Sequence, residues 1–538
     1  SLPCSFAWMS RRRSQVAISC SMNSGCPSST TSTPRLATPA SAPAADAPAH
    51  FTLTRVEFPA TTAVPAEALQ QAVAPFLGQA IGSAQLDAIA DAVRGLYTAR
   101  GLGLVGVGFP NQDLAGGVLM VAIAEPRITR VIVENPNDPP VTDARTRAVL
   151  ERSGVATGQP LDLRHLDRAM YTLNDWPGVK AKATLTPTGD ENAYSVAVTT
   201  ERARAWEASV DADNHGTDIS GRARVGAMLR WNNPLGIGDN LDLRLVAAQG
   251  SGNLVGRLGY EAPIGPTPWR AGVGYSRVTY ELADEFDGAV GHADVLDASL
   301  SYAFLRSRDL NVVGRLTGEH KELHDEFFVD SSDKTITAGT AQVSFESRDG
   351  FGGGGYSGGF VGLMLGRLRN DASNPASVDT TALGRFVKGT AQVTRLQALS
   401  QRFSLYAGVA GQWADKNLDN AEKLTLGGPR GVRSYPAAEA PSDVGAILNT
   451  ELRWWVNPQW STFLFYDLGH GKARKSPGTS PEDNTRTLHG TGLGVQFTNP
   501  ELFTLKATLG VRGQSEPVLS DTDDTGRSLL LVQIQHSF

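Results

Sequence analysis

Leu424-Thr425-Leu426-Gly427-Gly428-Pro429-Arg430-Gly431-Val432-Arg433-Ser434-Tyr435 is a glycine-rich loop with two arginines, and the chain beyond it changes character. From Asp443 to Trp455 a polar turn gives way to strict alternation. Leu448, Thr450, Leu452 and Trp454 share one face, and Asn449, Glu451 and Arg453 share the other. Side chains of a strand point alternately to opposite faces, so this segment is apolar on one side and charged on the other. Paired arginines leading into such a strand suit a protein with a wet interior, which is the layout of a membrane β-barrel. A surface loop of a soluble β-sandwich is the other reading of these residues taken alone.

Composition narrows the choice. The chain has 538 residues, more than one ordinary domain, and its 57 glycines and 30 prolines favour many short strands and turns over long helices. No apolar run approaches the roughly eighteen residues of a spanning helix, so a membrane crossing has to be made by a closed barrel. A mean hydropathy of −0.19 is compatible with that, because alternate barrel residues are polar. With 19% charged residues and a net charge of −6 there is no electrostatic footprint for nucleic acid. Cys4, Cys20 and Cys26 are the three cysteines, and a cysteine-free body fits an oxidising compartment. Their odd number supports no closed disulfide framework.

Alternation continues on both sides of the opening stretch. In Arg222 to Trp231, Ala223, Val225, Ala227, Leu229 and Trp231 lie opposite Arg222, Arg224 and Arg230. Leu241, Leu243 and Leu245 alternate with Asp242 and Arg244, and Phe403, Leu405, Ala407, Val409 and Trp413 with Ser404, Tyr406, Gly408 and Gln412. The last segment sets Leu530, Val532, Ile534, His536 and Phe538 against Gln533, Gln535 and Ser537. At about ten residues per strand plus connections, the region from Trp206 has room for roughly sixteen strands, a size that leaves a channel.

Upstream the periodicity is helical. After a strand at Thr52 to Phe58 comes a short helix at Ala66 to Phe76, then a helix whose Leu86, Ile89, Ala90, Val93, Leu96 and Tyr97 form one face. Strands are expected at Leu104 to Phe109 and Val118 to Ala124. A second β-α-α-β-β unit follows: strand Ile128 to Val133, helices Asp143 to Arg152 and Leu163 to Leu173, strands Val179 to Leu185 and Ala193 to Thr199. Two tandem αβ units of about 75 residues are a repeat of architecture. Residues 1–50 read as a disordered leader or linker: Arg11, Arg12 and Arg13 precede no apolar segment, and Pro27 to His50 is mostly serine, threonine, alanine and proline.

Four short stretches give this order a likeness. They are Pro110-Asn111-Gln112-Asp113-Leu114 with Gly116 and Gly117; Asp213-Asn214-His215-Gly216-Thr217 with Asn233-Pro234-Leu235-Gly236-Ile237-Gly238-Asp239; Leu426 to Tyr435 with Glu451-Leu452-Arg453-Trp454; and Phe465-Tyr466-Asp467-Leu468-Gly469. In this order and spacing the chain resembles the two-partner secretion transporters (TpsB), the haemolysin secretion and activation proteins. The resemblance implies a leader at 1–50, two small α/β POTRA domains at 51–126 and 127–204, and a transmembrane β-barrel of about 16 antiparallel strands at 205–538 with an inward-folded loop at 426–443. It implies a bacterial outer-membrane location with the POTRA domains in the periplasm. The partners implied are one large secreted TpsA-type exoprotein as client, outer-membrane lipid, and the barrel-assembly machinery for its own insertion.

The family's loop carries an arginine in a Val-Arg-Gly-aromatic motif that contacts an aspartate on the inner wall. By resemblance Arg433 matches that arginine and Asp467 the aspartate, with Gly427, Gly428, Arg430, Val432 and Tyr435 supporting the loop and Phe538 as the C-terminal signal of the barrel. A guanidinium can grip a carboxylate through two parallel hydrogen bonds and so hold a loop in register. The sequence departs from the motif at Ser434, where the family usually has glycine; if the position takes a positive φ, serine is strained there. A barrel-assembly insertase is the rival expectation, and two rather than more POTRA units favour export.

Two motifs mislead. Gly355-Tyr356-Ser357-Gly358-Gly359 has the spacing of a nucleophile elbow, but an alternating strand through Val361, Leu363 and Leu365 follows instead of a helix, so turn or bulge glycines are expected. Gly101-Leu102-Gly103-Leu104-Val105-Gly106 follows a helix and opens a strand, the reverse of a dinucleotide fingerprint, and reads as a helix stop. No histidine pair has metal-ligand spacing within one element. The sequence therefore proposes no enzyme activity, no cofactor and no metal.

Overall fold

The computed structural model describes residues 51–538 apart from residue 62 and the stretches 136–137, 190–191, 218, 251–252, 283–287, 328–329, 371–378, 479–483, 514–517 and 521–525. The expected leader, with its three cysteines, lies outside the described residues. The chain forms two compact units. One is the described part of Arg12–Asp175 with Val179–Arg202, and the other is Ala203–Phe538 with Trp176–Gly178.

The first unit opens with β1 (Phe51–Thr52), β2 (Arg55–Glu57), α1 (Ala66–Val73), β3 (Ala80–Ile81), α2 (Ser83–Ala99), β4 (Gly106–Gly108), β5 (Val118–Met120) and β6 (Ala122–Ala124). The strand expected over 118–124 is broken at Val121, whose N–H donates to the Glu57 carbonyl at 3.0 Å. Its halves therefore join different partners: β5 pairs in parallel with β2, and β6 antiparallel with β4. Leu69 and Val73 of α1 and Ile89, Val93 and Tyr97 of α2 bury the faces that their spacing assigned to the core. The Tyr97 hydroxyl donates to Glu125 at 3.2 Å, and burial together with that carboxylate pushes its pKa up to about 12. Gly101 ends α2 with φ +86°, as a helix stop requires.

The second αβ repeat is β7 (Arg127–Glu134), α3 (Asp143–Arg152), α4 (Leu163–Asn174), β8 (Val179–Pro187) and β9 (Ala193–Arg202), with sheet order β7-β9-β8. Thr142 and Asp162 cap the two helices, accepting from the N–H groups of Arg145 and Arg164 at 3.4 and 2.8 Å.

The other unit is a closed barrel of sixteen strands. It runs β10 (Trp206–Asp213), β11 (Arg224–Asn232), β12 (Asn240–Ala248), β13 (Leu254–Pro263), β14 (Trp269–Glu281), β15 (Val290–Arg306), β16 (Leu310–Phe327), β17 (Asp330–Asp349), β18 (Gly355–Asn370), β19 (Gly384–Ala398) and β20 (Phe403–Ala414). A small hairpin, β21 (Leu424–Thr425) with β22 (Pro441–Ser442), lies inside the next loop. Then come β23 (Val444–Trp455), β24 (Trp460–Lys472), β25 (Thr485–Thr498), β26 (Thr504–Arg512) and β27 (Ser528–Ser537). Every pairing is antiparallel, and β27 closes on β10 from Ser209↔Ser537 to Asp213↔Gln533. Closure satisfies every ladder and leaves no edge, the condition for strands in lipid.

Leu296, Val361, Leu363, Leu365, Val393, Leu464 and Leu493 all stand exposed on the outer face, as lipid contact demands. At the end with short turns, cross-strand aromatic pairs form a girdle: Trp206 on Trp231 and Trp269 on Tyr302 at 4.7 Å, Trp460 on Phe497 at 4.9 Å, and Phe403 on Trp454 at 6.3 Å. Short turns mark the periplasmic end and long loops the extracellular one. Gly355 to Gly359 lie in β18, paired in regular register with β17 and β19. This corrects the expectation of a turn or bulge: the turn is one step earlier, at Gly352, Gly353 and Gly354, all with positive φ.

Candidate functional site: a loop folded into the barrel

The connection from β20, the eleventh barrel strand, to β23 is a compact structure rather than an open loop. The Val432 N–H donates to the Leu426 carbonyl at 2.8 Å, and those of Gly427 and Gly428 to the carbonyls of Glu439 and Tyr435, each at 3.1 Å. A Cβ on Gly431 would lie 2.1 Å from the Leu426 carbonyl oxygen, so only glycine allows this crossing. Leu426, Val432 and Tyr435 are fully buried and pack with Ile447 and Leu488 of the wall.

This folding aims Arg433 at the inner wall. Its Nε and Nη2 donate to the two oxygens of Asp467 at 2.8 and 2.7 Å, and its own N–H donates to the same carboxylate at 3.0 Å. Nη1 meets Glu451, whose other oxygen lies 2.5 Å from Arg453. The guanidinium stands 4.0 Å above the Phe465 ring centre. Asn449 ties the arrangement together, donating at 2.8 Å both to Asp467 and to the Gly431 carbonyl. Arg433, Glu451 and Asp467 are 5%, 4% and 0% exposed, so the ion cluster is withdrawn from water. Bidentate, charge-assisted geometry is where such a cluster is strong, and loss of one member leaves its partners buried and uncompensated.

The expected pair, Arg433 with Asp467, is thus brought into contact, with Gly427, Gly428, Val432 and Tyr435 shaping the loop around it. Arg430 is different: it is exposed at the edge of the tip and takes no part in the Asp467 grip. Ser434 does not have the positive φ that glycine would allow. Its side chain fits because the opposing wall is glycine. A Cβ on Gly490 would lie 1.9 Å from Ser434 Oγ, and one on Gly510 2.9 Å from Ser434 Cα. Phe538 ends the closing seam, its N–H donating to the Ala208 carbonyl at 2.9 Å and its own carbonyl accepting from Arg204 at 2.7 Å.

Sequence reasoning missed a second set of contacts at the stem of the loop. Glu422, fully buried, reaches Lys321 on β16 at 2.7 Å and also pairs with Lys388 on β19. Burial alone would raise its pKa, but the two lysines bring it down from the ordinary 4.5 to about 2. Glu439 lies 3.0 Å from Arg486 of β25 and accepts the N–H groups of Leu519 and Ser520 at 3.0 and 2.9 Å. Lys334, 3.1 Å from both Asp419 and Asp325, adds a further tie. On β19 the available signal was Lys388, followed on its face by the uncharged Thr390, Gln392 and Thr394; on β16 Lys321 shares its face with Glu319 and Asp325 and gave none.

Two POTRA-like αβ units, a sixteen-stranded barrel and a loop locked to its inner wall define an outer-membrane protein-export channel. Residues 193–497 match the haemolysin secretion/activation protein ShlB/FhaC/HecB family, and residues 51–125 match the ShlB-type POTRA domain. The chain belongs to the ShlB/FhaC/HecB family and is an outer-membrane transporter of two-partner secretion, its POTRA domains periplasmic. Among curated relatives, the heme/hemopexin transporter protein HuxB of Haemophilus influenzae (strain 86-028NP) is 23% identical over 459 residues, covering 81% of this chain and 78% of HuxB. Among solved structures, CdiB from Escherichia coli superposes with a TM-score of 0.71 at 20% identity, covering 93% of both chains. BamA from Haemophilus ducreyi lacking POTRA domains 1–3 gives 0.52 at 13% identity, over 91% of this chain and 100% of that one.

Proposed function

We propose that the protein exports one large, unfolded TpsA-type exoprotein. In this reading residues 51–126 and 127–204 act as the two POTRA domains that receive the client, and 205–538 as the barrel it crosses. The edge strands β7 and β8 offer unpaired backbone to an extended client, which can add as a further strand. The loop is the gate, and the Arg433 contact with Asp467 and Glu451 is its catch. The observation that carries this reading is that grip: Arg433 of the loop is buried against Asp467 of β24 and Glu451 of β23, which holds the tip at the inner wall. No nucleotide-binding motif was found in the sequence, so folding of the client outside supplies the pull.

The test compares the culture-medium and outer-membrane proteomes of cells with and without the gene. Loss of one large exoprotein, with other barrels unchanged, is expected. A broad loss of other barrels with no missing exoprotein would instead make it an assembly insertase.

A further inference from the structure

The outer wall carries a feature that export does not use. Arg367 and Arg369 on β18 and Arg385 on β19 all point outward and are exposed. Arg367 and Arg385 are direct cross-strand partners, an arrangement of like charges that opposes pairing. Among the described residues no carboxylate comes within ion-pair distance of any of the three. The described acids on this face are engaged elsewhere: Asp333, beside Arg369's partner Thr335 on the adjacent strand, lies 2.5 Å from His324, Asp415 accepts the Val387 N–H at 2.9 Å, and Glu322, two strands away from Arg369, faces His320 at 3.5 Å. The three arginines stand at the end of β18 and β19 that leads into the long loop, the extracellular end.

Directly beneath them the wall is hollow. The outward residues that follow Arg367 and Arg385 toward the periplasm are Leu365 and Val387, then Leu363 and Gly389, then Val361 and Ala391. Gly389, Ala391 and Ala341 carry little or no side chain between Leu363, Val343 and Trp413, and they form one part of an apolar trough of about 800 Å³ that runs on across the wall to Phe304, Tyr302 and Trp269. A Cβ on Gly389 would meet only the Trp413 ring, at 3.9 Å, so the space is open. Two residues of strand span about 6.6 Å, which places Leu365, Leu363 and Val361 roughly 7–20 Å from Arg367 along the strand, or roughly 5–15 Å in depth for strands tilted about 40°. That is the depth of one leaflet of a hydrocarbon core about 30 Å thick.

We propose that this surface binds a phosphorylated glycolipid of the outer leaflet, of the lipid A type, with a phosphate between Arg367 and Arg385, Arg369 beside it, and an acyl chain in the groove. A phosphate accepts from two guanidinium groups at once and removes the repulsion between them. Choice of the outer-leaflet lipid rests on the end of the barrel at which the charges stand, and on the apolar wall below them, where Leu365 and Val387 separate the arginines from the trough.

The full chain, purified in mild detergent, is titrated with bisphosphorylated lipid A and with phosphatidylglycerol, and bound lipid is counted by native mass spectrometry. The intact protein is expected to retain lipid A in preference to phosphatidylglycerol. Arg367→Ala with Arg385→Ala should weaken retention by roughly fivefold per arginine, and Gly389→Leu, which fills the groove, should weaken it with the charges intact. Lys472→Ala, at the same end of a different wall, should leave it unchanged. Folding of each variant is checked by heat-modifiable migration in gels. Equal retention of lipid A by the double variant, loss in Lys472→Ala equal to that in the double variant, or equal retention of the two lipids by the intact protein would each overturn the proposal.

Discussion

The tip and the stem of the inward loop are fastened by the same chemistry with the signs exchanged. At the tip the loop supplies the cation, Arg433, and the wall supplies the anions, Asp467 and Glu451. At the stem the loop supplies the anions, Glu422 and Glu439, and the wall supplies the cations, Lys321, Lys388 and Arg486. The planar guanidinium of Arg433 clamps one carboxylate in a fixed register, whereas Glu422 at the stem is held by two ammonium groups, point charges that hold without fixing an angle. The Arg433 contact therefore fixes a single seated position, and the Glu422 contact tolerates movement. In the gating proposed above the tip is released while the stem stays anchored, and each end can be broken separately.

The largest effect is expected at the tip. Arg433→Ala leaves Asp467 and Glu451 buried without their counter-charge, a change that costs about 3–5 kcal/mol where a buried pair loses one partner. The exported client in the medium should fall sharply and the tip should become open to protease. Unchanged export would remove the tip from the gate.

Next comes the stem. Glu422→Gln should cost about 3 kcal/mol, the low end of that range, because Lys321 keeps Glu319 at 3.5 Å. Acid should imitate the substitution. A carboxyl lowered from 4.5 to about 2 contributes roughly 3 kcal/mol that is fully present above pH 4.5 and is lost as pH falls toward 2. A nitroxide attached to Asn420→Cys at neutral pH, with Cys4, Cys20 and Cys26 replaced by serine, measures this through its mobility as the purified protein is acidified. Mobility that does not rise with acid, or that rises equally in Glu422→Gln, would show that Glu422 is not the group being titrated.

A smaller effect sharpens the register argument. Gly490→Ala places a methyl against Ser434 and should cost about 1–3 kcal/mol by overpacking. Adding Ser434→Gly should restore the midpoint of thermal unfolding, and a double variant no better than the single one would mean that the two positions are not in contact. The smallest effect belongs to Asp419→Asn. Lys334 keeps Asp325, so a shift of at most about 1 kcal/mol is expected, and a larger one would place the stem's main anchor there.

Much of this was legible in the chain. The period-two alternation of Leu448 to Trp454 and the helical spacing of Ile89, Val93 and Tyr97 fixed which faces meet lipid, lumen or core, because each pattern depends only on local backbone geometry. Arg433 and Asp467 were found through short motifs that resemble a family. The break at Val121 was not visible, since it arises from a hydrogen bond to Glu57, 64 residues earlier. Nor was the harmless fit of Ser434, which depends on two glycines on separate strands.

By itself, then, the sequence determined the two αβ repeats, an open-channel barrel of about sixteen strands and the pair most central to the loop, all of them features written in residues close together or in recurring patterns. Only the tertiary structure decided that Glu451 shares Arg433 with Asp467, that Glu422 is held by lysines 101 and 34 residues away, and that Arg367 and Arg385 face one another above an apolar groove. The physical reason is that strand register and loop path bring together groups whose separation along the chain carries no periodic signal, and an ion pair or a hollow exists only where both sides arrive.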